Sequence, residues 1–271
     1  MPELPEVETT RCGIEPHVVG KRVVRVVVRN ARLRWRVPKT LRTQLPGQRI
    51  RAVTRRAKYL LLRADTGTVI VHLGMSGSLR VVAAGDPPGK FDHVDLVLAN
   101  GDCLRLRDPR RFGAVLWTVA APDVHKLLAG LGPEPLGKDF SGAYLYRITR
   151  DRTRAIRDVL LDGRLVAGIG NIYANEALFR AGIRPTRPAG RLSLAEATRL
   201  VQALRATLKR ALRAGGTTLR DFRSSDGEPG HFQLLLKVYG RAGERCRSCR
   251  RPIQLHRLGQ RSAFYCRRCQ A

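Results

Sequence analysis

HVDLVLANGDCLRLRD (residues 93–108) holds two short runs of valine and leucine on either side of Asn100-Gly101. An Asn-Gly pair between such runs is the favoured type I′ hairpin turn, so the segment predicts two antiparallel strands. The same text extends outward. KRVVRVVVRN (21–30), YLLLRA (59–64), TVIVHL (68–73) and AVLWTV (114–119) are equally short, and Gly, Pro, Asn or Asp separate them. Strands of this kind, punctuated by turn residues, predict a β-sandwich. Ahead of them, residues 3–12 read as a short amphipathic helix, with Pro5 in its first turn, Glu6 and Glu8 near its positive end and Gly13 as its stop.

Beyond Thr118 the pattern changes. LGPEPLGKDF (131–140), with two prolines and two glycines, marks a connection between domains. In the following helical text, Ser193 and Glu196 have capping-box spacing, and Ala197, Leu200, Val201, Leu204, Leu208 and Leu212 line one face. Arg205, Lys209, Arg210 and Arg213 populate the solvated remainder. The expected fold is α+β and multidomain, with a β-sandwich over 1–130, a helical domain over 131–236 and a cysteine module over 237–271.

Charge narrows the function. The chain of 271 residues carries 51 Lys plus Arg against 22 Asp plus Glu, a formal net charge of +29. So basic a chain repels itself unless a polyanion neutralises it, and nucleic acid is the first candidate because each neutralised phosphate releases counterions. A GC-rich genome accounts for arginine over lysine but not for the shortage of acids. The N-terminus MPELPEVETT is acidic, and no apolar run approaches the length of a bilayer span, so the expectation is a cytoplasmic protein with no membrane partner. Its thiols then stay reduced, and the six cysteines are free, catalytic or metal-bound.

Cys246-x2-Cys249 and Cys266-x2-Cys269, sixteen residues apart, decide among these. Each pair can offer two thiolates to one tetrahedral ion, and the intervening length suits a β-hairpin. Four cysteines and no other ligand predict a closed, structural zinc site. Cys12 and Cys103 read as small buried hydrophobes. The six histidines have no zinc-like spacing and read as structural.

Two weaker signals remain. In LVAGIGNIYANEALF (165–179), Gly168 and Gly170 permit a tight turn and Asn171 starts a helix, a place where backbone N–H groups bind phosphate. Spacing alone equally fits a helical hairpin whose glycines merely allow close packing. Pro2 follows Met1, whose removal would leave a free proline amine. With Met1 attached, the Pro2 nitrogen is an amide and no nucleophile. Model α-amino groups have pKa values of about 7.7–8.0, so an unprotonated secondary amine is available near neutral pH. Such an amine attacking a sugar C1′ would displace a base and leave an iminium, with Glu3 placed to shuttle protons. Residue types alone leave open the simpler reading, in which acids at a helix start only complement its dipole.

Taken together these residues resemble the formamidopyrimidine-DNA glycosylase family. MPELPEVET (1–9), RRAKYLLL (55–62), HLGMSGSLR (72–80), DPRRFGA (108–114), LGPEPL (131–136), AGIGNIYANEALF (167–179), SDGEPG (225–230) and the four-cysteine finger carry the resemblance over essentially the whole chain. It implies a β-sandwich, a helix–two-turn–helix domain and a β-hairpin zinc finger, with DNA held in the cleft between the domains. It further implies a monomeric bacterial base-excision enzyme, nucleoid-associated, that binds damaged double-stranded DNA, removes oxidised purines and cleaves the abasic strand by β,δ-elimination. One structural zinc and no organic cofactor go with it. Pro2 would be the Schiff-base nucleophile, Glu3 its acid/base partner, and Lys58 and Arg261 assistants of the eliminations. Met75, Arg110 and Phe112 would be the wedge that fills the gap left by the flipped nucleotide. Asn171 and Arg152 would hold backbone phosphate, and the loop 225–232 would close over the flipped base. The sequence departs from the family where Phe91 stands for a DNA-contacting histidine, and where Arg152 and Arg157 stand for lysines.

Two other readings stay open at this point. An endonuclease VIII-type glycosylase for oxidised pyrimidines shares the architecture, although Leu4 and the Met75–Arg110–Phe112 set favour the purine branch. A catalytically silent DNA-binding zinc protein would keep the charge, the finger and the helical hairpin, although Pro2, Glu3 and Lys58 argue against it.

Overall fold

Leu4, Val7, Ile14 and Val18 recur along one side of the first helix, and all four are fully buried. In the computed structural model, which describes residues 2–216 and 232–271, that helix is α1 (Leu4–Val18). It passes through Gly13, where the sequence suggests a stop. Burial explains the difference, because Ile14 and Val18 dock into the core, and each such side chain contributes about 1.5–3 kcal/mol relative to exposure. The helix ends instead at Val19, which is extended, ahead of Gly20 at φ +78°.

The chain forms two compact units, one of Met1–Gly130 with Ala214–Gln233 and the other of Leu131–Arg213 with Leu234–Ala271. The first contains α1, α2 (Lys39–Gln44) and eight strands: β1 (Val23–Val28), β2 (Ile50–Arg56), β3 (Tyr59–Ala64), β4 (Thr68–His72), β5 (Ser78–Ala83), β6 (Asp92–Leu98), β7 (Asp102–Arg107) and β8 (Ala114–Thr118). They make two antiparallel four-stranded sheets, in the orders β1-β6-β7-β5 and β2-β3-β4-β8. Val26, Leu96 and Leu104 from the first sheet share one apolar cluster with Leu60, Val69 and Val115 from the second, as a sandwich requires.

β2 and β5 are absent from the strand pattern read above. The text of β2, IRAVTRR, is loaded with cations that look solvated. Tertiary partners absorb them, since Arg51 pairs with Asp65 at 2.6 Å and Arg55 with Glu8 at 2.9 Å. β6 and β7 pair antiparallel as expected, but their turn is not type I′. Only Gly101 of the Asn-Gly pair has positive φ, at +87°, and its N–H donates to the Leu98 carbonyl at 3.2 Å. The connection is thus three residues long, a four-residue turn from Leu98 whose last residue, Gly101, takes the left-handed conformation. Cys103 is buried as expected, whereas Cys12 is exposed. It lies on the solvent side of α1, where the Arg11 guanidinium donates to its Sγ at 3.1 Å.

The second unit contains α3 (Gly142–Thr149), α4 (Ile156–Leu160), α5 (Asn171–Ala181), α6 (Leu194–Arg213), β9 (Gln254–Leu258) and β10 (Arg261–Tyr265). The capping box at the start of α6 is present in both directions. Ser193 N–H donates to Glu196 Oε2 at 2.8 Å, and Glu196 N–H donates to Ser193 Oγ at 3.2 Å. Ala197, Leu200, Val201, Leu204 and Leu208 are buried as the period predicts, with Ala211 taking the last core position in place of half-buried Leu212. α5 starts after Gly168, at φ +77°, and ends on Gly182, at φ +70°. Among the described residues no helix is long and apolar enough to cross a membrane.

Candidate active site and zinc finger

Pro2 is buried where the chain enters α1. Glu3 is the N-cap, and with Glu6 it forms a reciprocal box in which Glu3 N–H donates to Glu6 Oε2 at 2.8 Å. Both acids are nearly inaccessible, 3% and 2% exposed. The positive end of the helix stabilises carboxylates there, and the box fixes the direction in which the chain leaves toward Pro2. The backbone of Gly216 closes over Glu6, at φ +79°, so close that an added Cβ would lie 3.1 Å from Glu6 Oε1.

Lys58 sits in the two-residue turn between β2 and β3, where Arg56 pairs with Tyr59. Its neighbour Ala57 is held at φ +52°, a conformation that favours glycine. Arg55 steadies this turn from both sides, donating to the Ala57 carbonyl and to Glu8 Oε2 of α1, each at 2.9 Å. The same arginine therefore couples the helix that begins at Glu3 to the turn that presents Lys58. Burial, then the charges of Lys58 and Arg34, holds the His72 imidazole down at about 4 from its ordinary 6.5. His72 is thus neutral at physiological pH, and its Nδ1 accepts the Gly74 N–H at 3.0 Å.

Met75 and Phe112 are 40% and 42% exposed. Arg110 joins them, its guanidinium 4.9 Å from the centre of the Phe112 ring. Their loops meet backbone to backbone at Gly74 (φ +64°), where an added Cβ would lie 2.4 Å from the Phe112 carbonyl carbon. The tie between the loops is Asp108, which is wholly buried. Its carboxylate accepts the Ser76 hydroxyl at 3.0 Å and the Gly113 N–H at 2.7 Å, while Ser76 Oγ accepts the Arg110 N–H at 3.3 Å. An apolar pair and a cation thus stand exposed on a rigid, buried base. Phe91, the family's histidine position, packs under the cations of Arg107 (5.2 Å) and Lys90 (5.7 Å).

In the second unit, Sγ of Cys246 lies 3.9 Å from that of Cys269, and Sγ of Cys249 lies 3.3 Å from that of Cys266. All four fall within 4.8 Å of one another. A tetrahedron with Zn–S arms of about 2.3 Å has edges of about 3.8 Å, so the thiols fit one structural zinc ion. Two matching turns shape the cage, with Arg250 N–H donating to the Cys246 carbonyl (2.9 Å) and Gln270 N–H to that of Cys266 (3.1 Å). No other group of three or more potential ligands occurs among the described residues.

Asn171, the first residue of α5, spends one amide N–H on the Ser262 carbonyl at 2.9 Å. Asn175, one turn on, accepts the Phe264 N–H at 2.7 Å. Both bonds fasten β10 to α5. Arg152 is exposed, with Nε bonded to the Ile148 carbonyl, whereas Arg157 is 1% exposed and each of its three guanidinium nitrogens is hydrogen-bonded within the protein. Arg261 is exposed at the first position of β10. Sequence reasoning missed Asp108, Ser76 and Glu176. Glu176 is buried in α5 and accepts the N–H groups of Lys237, Val238 and Tyr239, each at 2.9 Å, which anchors the entry to the finger. An Asp that opens a Pro-containing loop was the one available signal, since such residues commonly bond their own loop backbone. The loop 225–232 lies outside the described residues except for Phe232, which is buried and donates its N–H to Gly216 at 3.0 Å.

A β-sandwich headed by a buried Pro-Glu pair, with Met75, Arg110 and Phe112 exposed together, in a chain that also carries a four-cysteine finger, points to a DNA-directed class of protein. Comparison with known proteins gives the family. The chain matches the formamidopyrimidine-DNA glycosylase N-terminal domain over residues 1–115, the H2TH domain of the same enzyme over 131–223, and the zinc finger found in FPG and IleRS over 243–271. It is 59% identical to the formamidopyrimidine-DNA glycosylase of Stutzerimonas stutzeri and 58% identical to that of Methylococcus capsulatus, over 100% of both chains in each case. Its structure is similar to the crystal structure of the MutM (Fpg) protein of Thermus thermophilus, with TM-score 0.89 and 40% identity over 99% of this chain and 98% of that one. It is also similar to Lactococcus lactis Fpg in complex with an abasic site containing DNA, with TM-score 0.91 and 33% identity over 99% of each. The chain belongs to the formamidopyrimidine-DNA glycosylase family.

Proposed function

We propose that this protein excises oxidised purines, 8-oxoguanine and formamidopyrimidines, from duplex DNA and then cuts the strand at the abasic site. The observation that carries the reading is the head of α1, where Pro2 and the buried N-cap Glu3 stand in the same unit as the Met75–Arg110–Phe112 wedge. The Lactococcus lactis relatives bound to abasic-site DNA and to Fapy-dG DNA support it.

Chemistry at C1′ requires the nucleotide to leave the stack, at a cost of a few kcal/mol. Met75, Arg110 and Phe112 fill the vacated space, an apolar plug with a cation beside it. Once Met1 is removed, the Pro2 amine attacks C1′, the C1′–N bond to the base breaks and the amine proton leaves with the base; Glu3 then protonates O4′, so that the C1′–O4′ bond opens and the nitrogen lone pair forms an iminium. The resulting iminium acidifies C2′. Loss of that proton breaks the C3′–O3′ bond, and loss of the C4′ proton then breaks the C5′–O5′ bond, a phosphate monoester departing each time. Lys58 binds phosphate and assists the first elimination, and Arg261 assists the second. Water hydrolyses the remaining imine and frees Pro2. Asn171 and Arg152 hold phosphate beside the lesion. Cys246, Cys249, Cys266 and Cys269 hold the zinc, which braces the finger and has no open position for catalysis. The protein acts as a monomer on double-stranded DNA.

Borohydride added to the protein and a duplex carrying 8-oxoguanine opposite cytosine tests the reading. A covalent complex that maps to Pro2 is expected. Trapping only with an oxidised pyrimidine would move the activity to the endonuclease VIII type. No trapping with any lesion, despite binding and a processed N-terminus, would leave a DNA-binding protein without chemistry.

A further inference from the structure

Arg157 is one of the largest fully buried side chains in the protein. Nε and Nη2 of its guanidinium donate to Asp158 Oδ1 at 2.9 and 2.6 Å. The same group reaches the finger, where Nη1 donates to the Arg261 carbonyl and Nη2 to the Leu258 carbonyl, each at 3.1 Å. Those carbonyls belong to the last residue of β9 and the first of β10, so they bracket the hairpin turn at Gly259 and Gln260. A charge this deeply buried needs every donor satisfied, and two of the acceptors are main-chain atoms of one turn.

We propose that Arg157 is a positioning residue that clamps this turn and thereby aims the Arg261 side chain at the phosphate leaving C5′. The inference rests on the role read above for Arg261. Arg261 itself is exposed, and among the described residues its side chain makes no hydrogen bond, so its reach is set by where its backbone is held. β10 has two further ties to α5, from Asn171 to Ser262 and from Asn175 to Phe264. Apart from its hairpin pairing with Leu258, Arg157 is the tie that holds the strand at Arg261 among the described residues. Loss of the clamp therefore leaves the finger docked and frees the turn alone. In the second elimination the C4′ proton goes to base and the C5′–O5′ electron pair goes to the phosphate, which changes from diester to monoester and gains a negative charge. A guanidinium stabilises that charge only from hydrogen-bonding distance, and a displacement of about 1 Å can cost about a hundredfold in rate.

The test uses the full-length, zinc-loaded protein on duplex DNA with a preformed abasic site, in single turnover, with β- and δ-elimination ends resolved on a gel. R157M keeps an unbranched, apolar stem and removes every donor. We expect it to retain zinc, to form the β product at the wild-type rate, and to form the δ product about tenfold more slowly. R157K restores one nitrogen in place of the fork, and its δ-to-β ratio should fall about threefold. R261Q should lose the δ product at least as severely as R157M. A wild-type ratio in R157M alongside δ loss in R261Q would overturn the clamp and leave the Arg261 role standing. A wild-type ratio in R261Q would overturn that role first, and the clamp with it. Should R157M fail to hold zinc, R157K decides, a wild-type ratio there refuting the proposal and a threefold fall supporting it.

Discussion

Replacing Asp108 with asparagine should loosen the proposed wedge of Met75, Arg110 and Phe112 without touching it. The Asp108 carboxylate is wholly buried and accepts two donors, the Ser76 hydroxyl at 3.0 Å and the Gly113 N–H at 2.7 Å. Asparagine keeps one carbonyl acceptor and turns an NH2 toward the second donor. A hydrogen bond to a charged group contributes about 1.5–3 kcal/mol, and a buried donor left unsatisfied costs about 1–3 kcal/mol. Together these give about 3 kcal/mol, roughly a hundredfold in the unfolding equilibrium. Urea unfolding at neutral pH measures it. The functional consequence is selective. With the loops of Met75 and Phe112 no longer tied, excision of 8-oxoguanine from a duplex should slow about tenfold, since the plug is less ordered when the nucleotide leaves. Cleavage of single-stranded abasic DNA, which leaves no gap to fill, should stay within about twofold of wild type. A variant with stability within about 1 kcal/mol of wild type and unchanged duplex excision would refute the reasoning.

Three further outcomes follow from the same geometry. His72 binds its proton at about 4 when folded against an ordinary 6.5, so the unfolded chain takes up a proton between those values that the folded protein refuses. Stability should fall as pH drops from 6.5 toward 4, by up to about 3 kcal/mol from this group. H72N still offers an acceptor to the Gly74 N–H but does not titrate, so it should lose less stability across that window, and equal losses in urea unfolding at both ends would count against the burial argument. Chelation of zinc should unfold the finger, whose own core is only Val238, Cys246, Ile253, Cys266 and their partly buried neighbours. DNA affinity and the δ product should then fall before Schiff-base trapping does, and trapping lost in step with zinc would contradict a purely structural ion. Finally, with a formal charge of +29, affinity for undamaged duplex should drop steeply with salt, with a log–log slope of about −0.9 per phosphate neutralised. A flat titration would remove phosphate contact as the basis of binding.

Much of this protein is legible along the chain because the information is local. The Ser193–Glu196 capping box, the apolar face of α6 and the two Cys-x2-Cys pairs each involve residues within a few positions of one another, and each formed as the spacing predicts. Local rules failed where distant groups intervene. Gly13 did not end α1, because Ile14 and Val18 had a core to enter. IRAVTRR hid a strand, because Asp65 and Glu8 neutralise two of its three arginines. Asn100 kept a negative φ, because the β6–β7 register left three residues rather than two to close the turn.

The candidate site divides the same way. Its residue types, Pro2, Glu3, Lys58, Met75, Arg110, Phe112 and Arg261, were all named from the text, since motif order is a property of sequence. What holds them was not. Asp108 reaches back 32 positions to Ser76, Arg157 reaches forward 104 to Arg261, and Glu176 gathers three N–H groups more than 60 positions away. A buried carboxylate or guanidinium is stable only where several donors or acceptors converge on it. That convergence is a property of three-dimensional packing alone, and so the sequence by itself named the chemistry while only the tertiary structure decided what aims it.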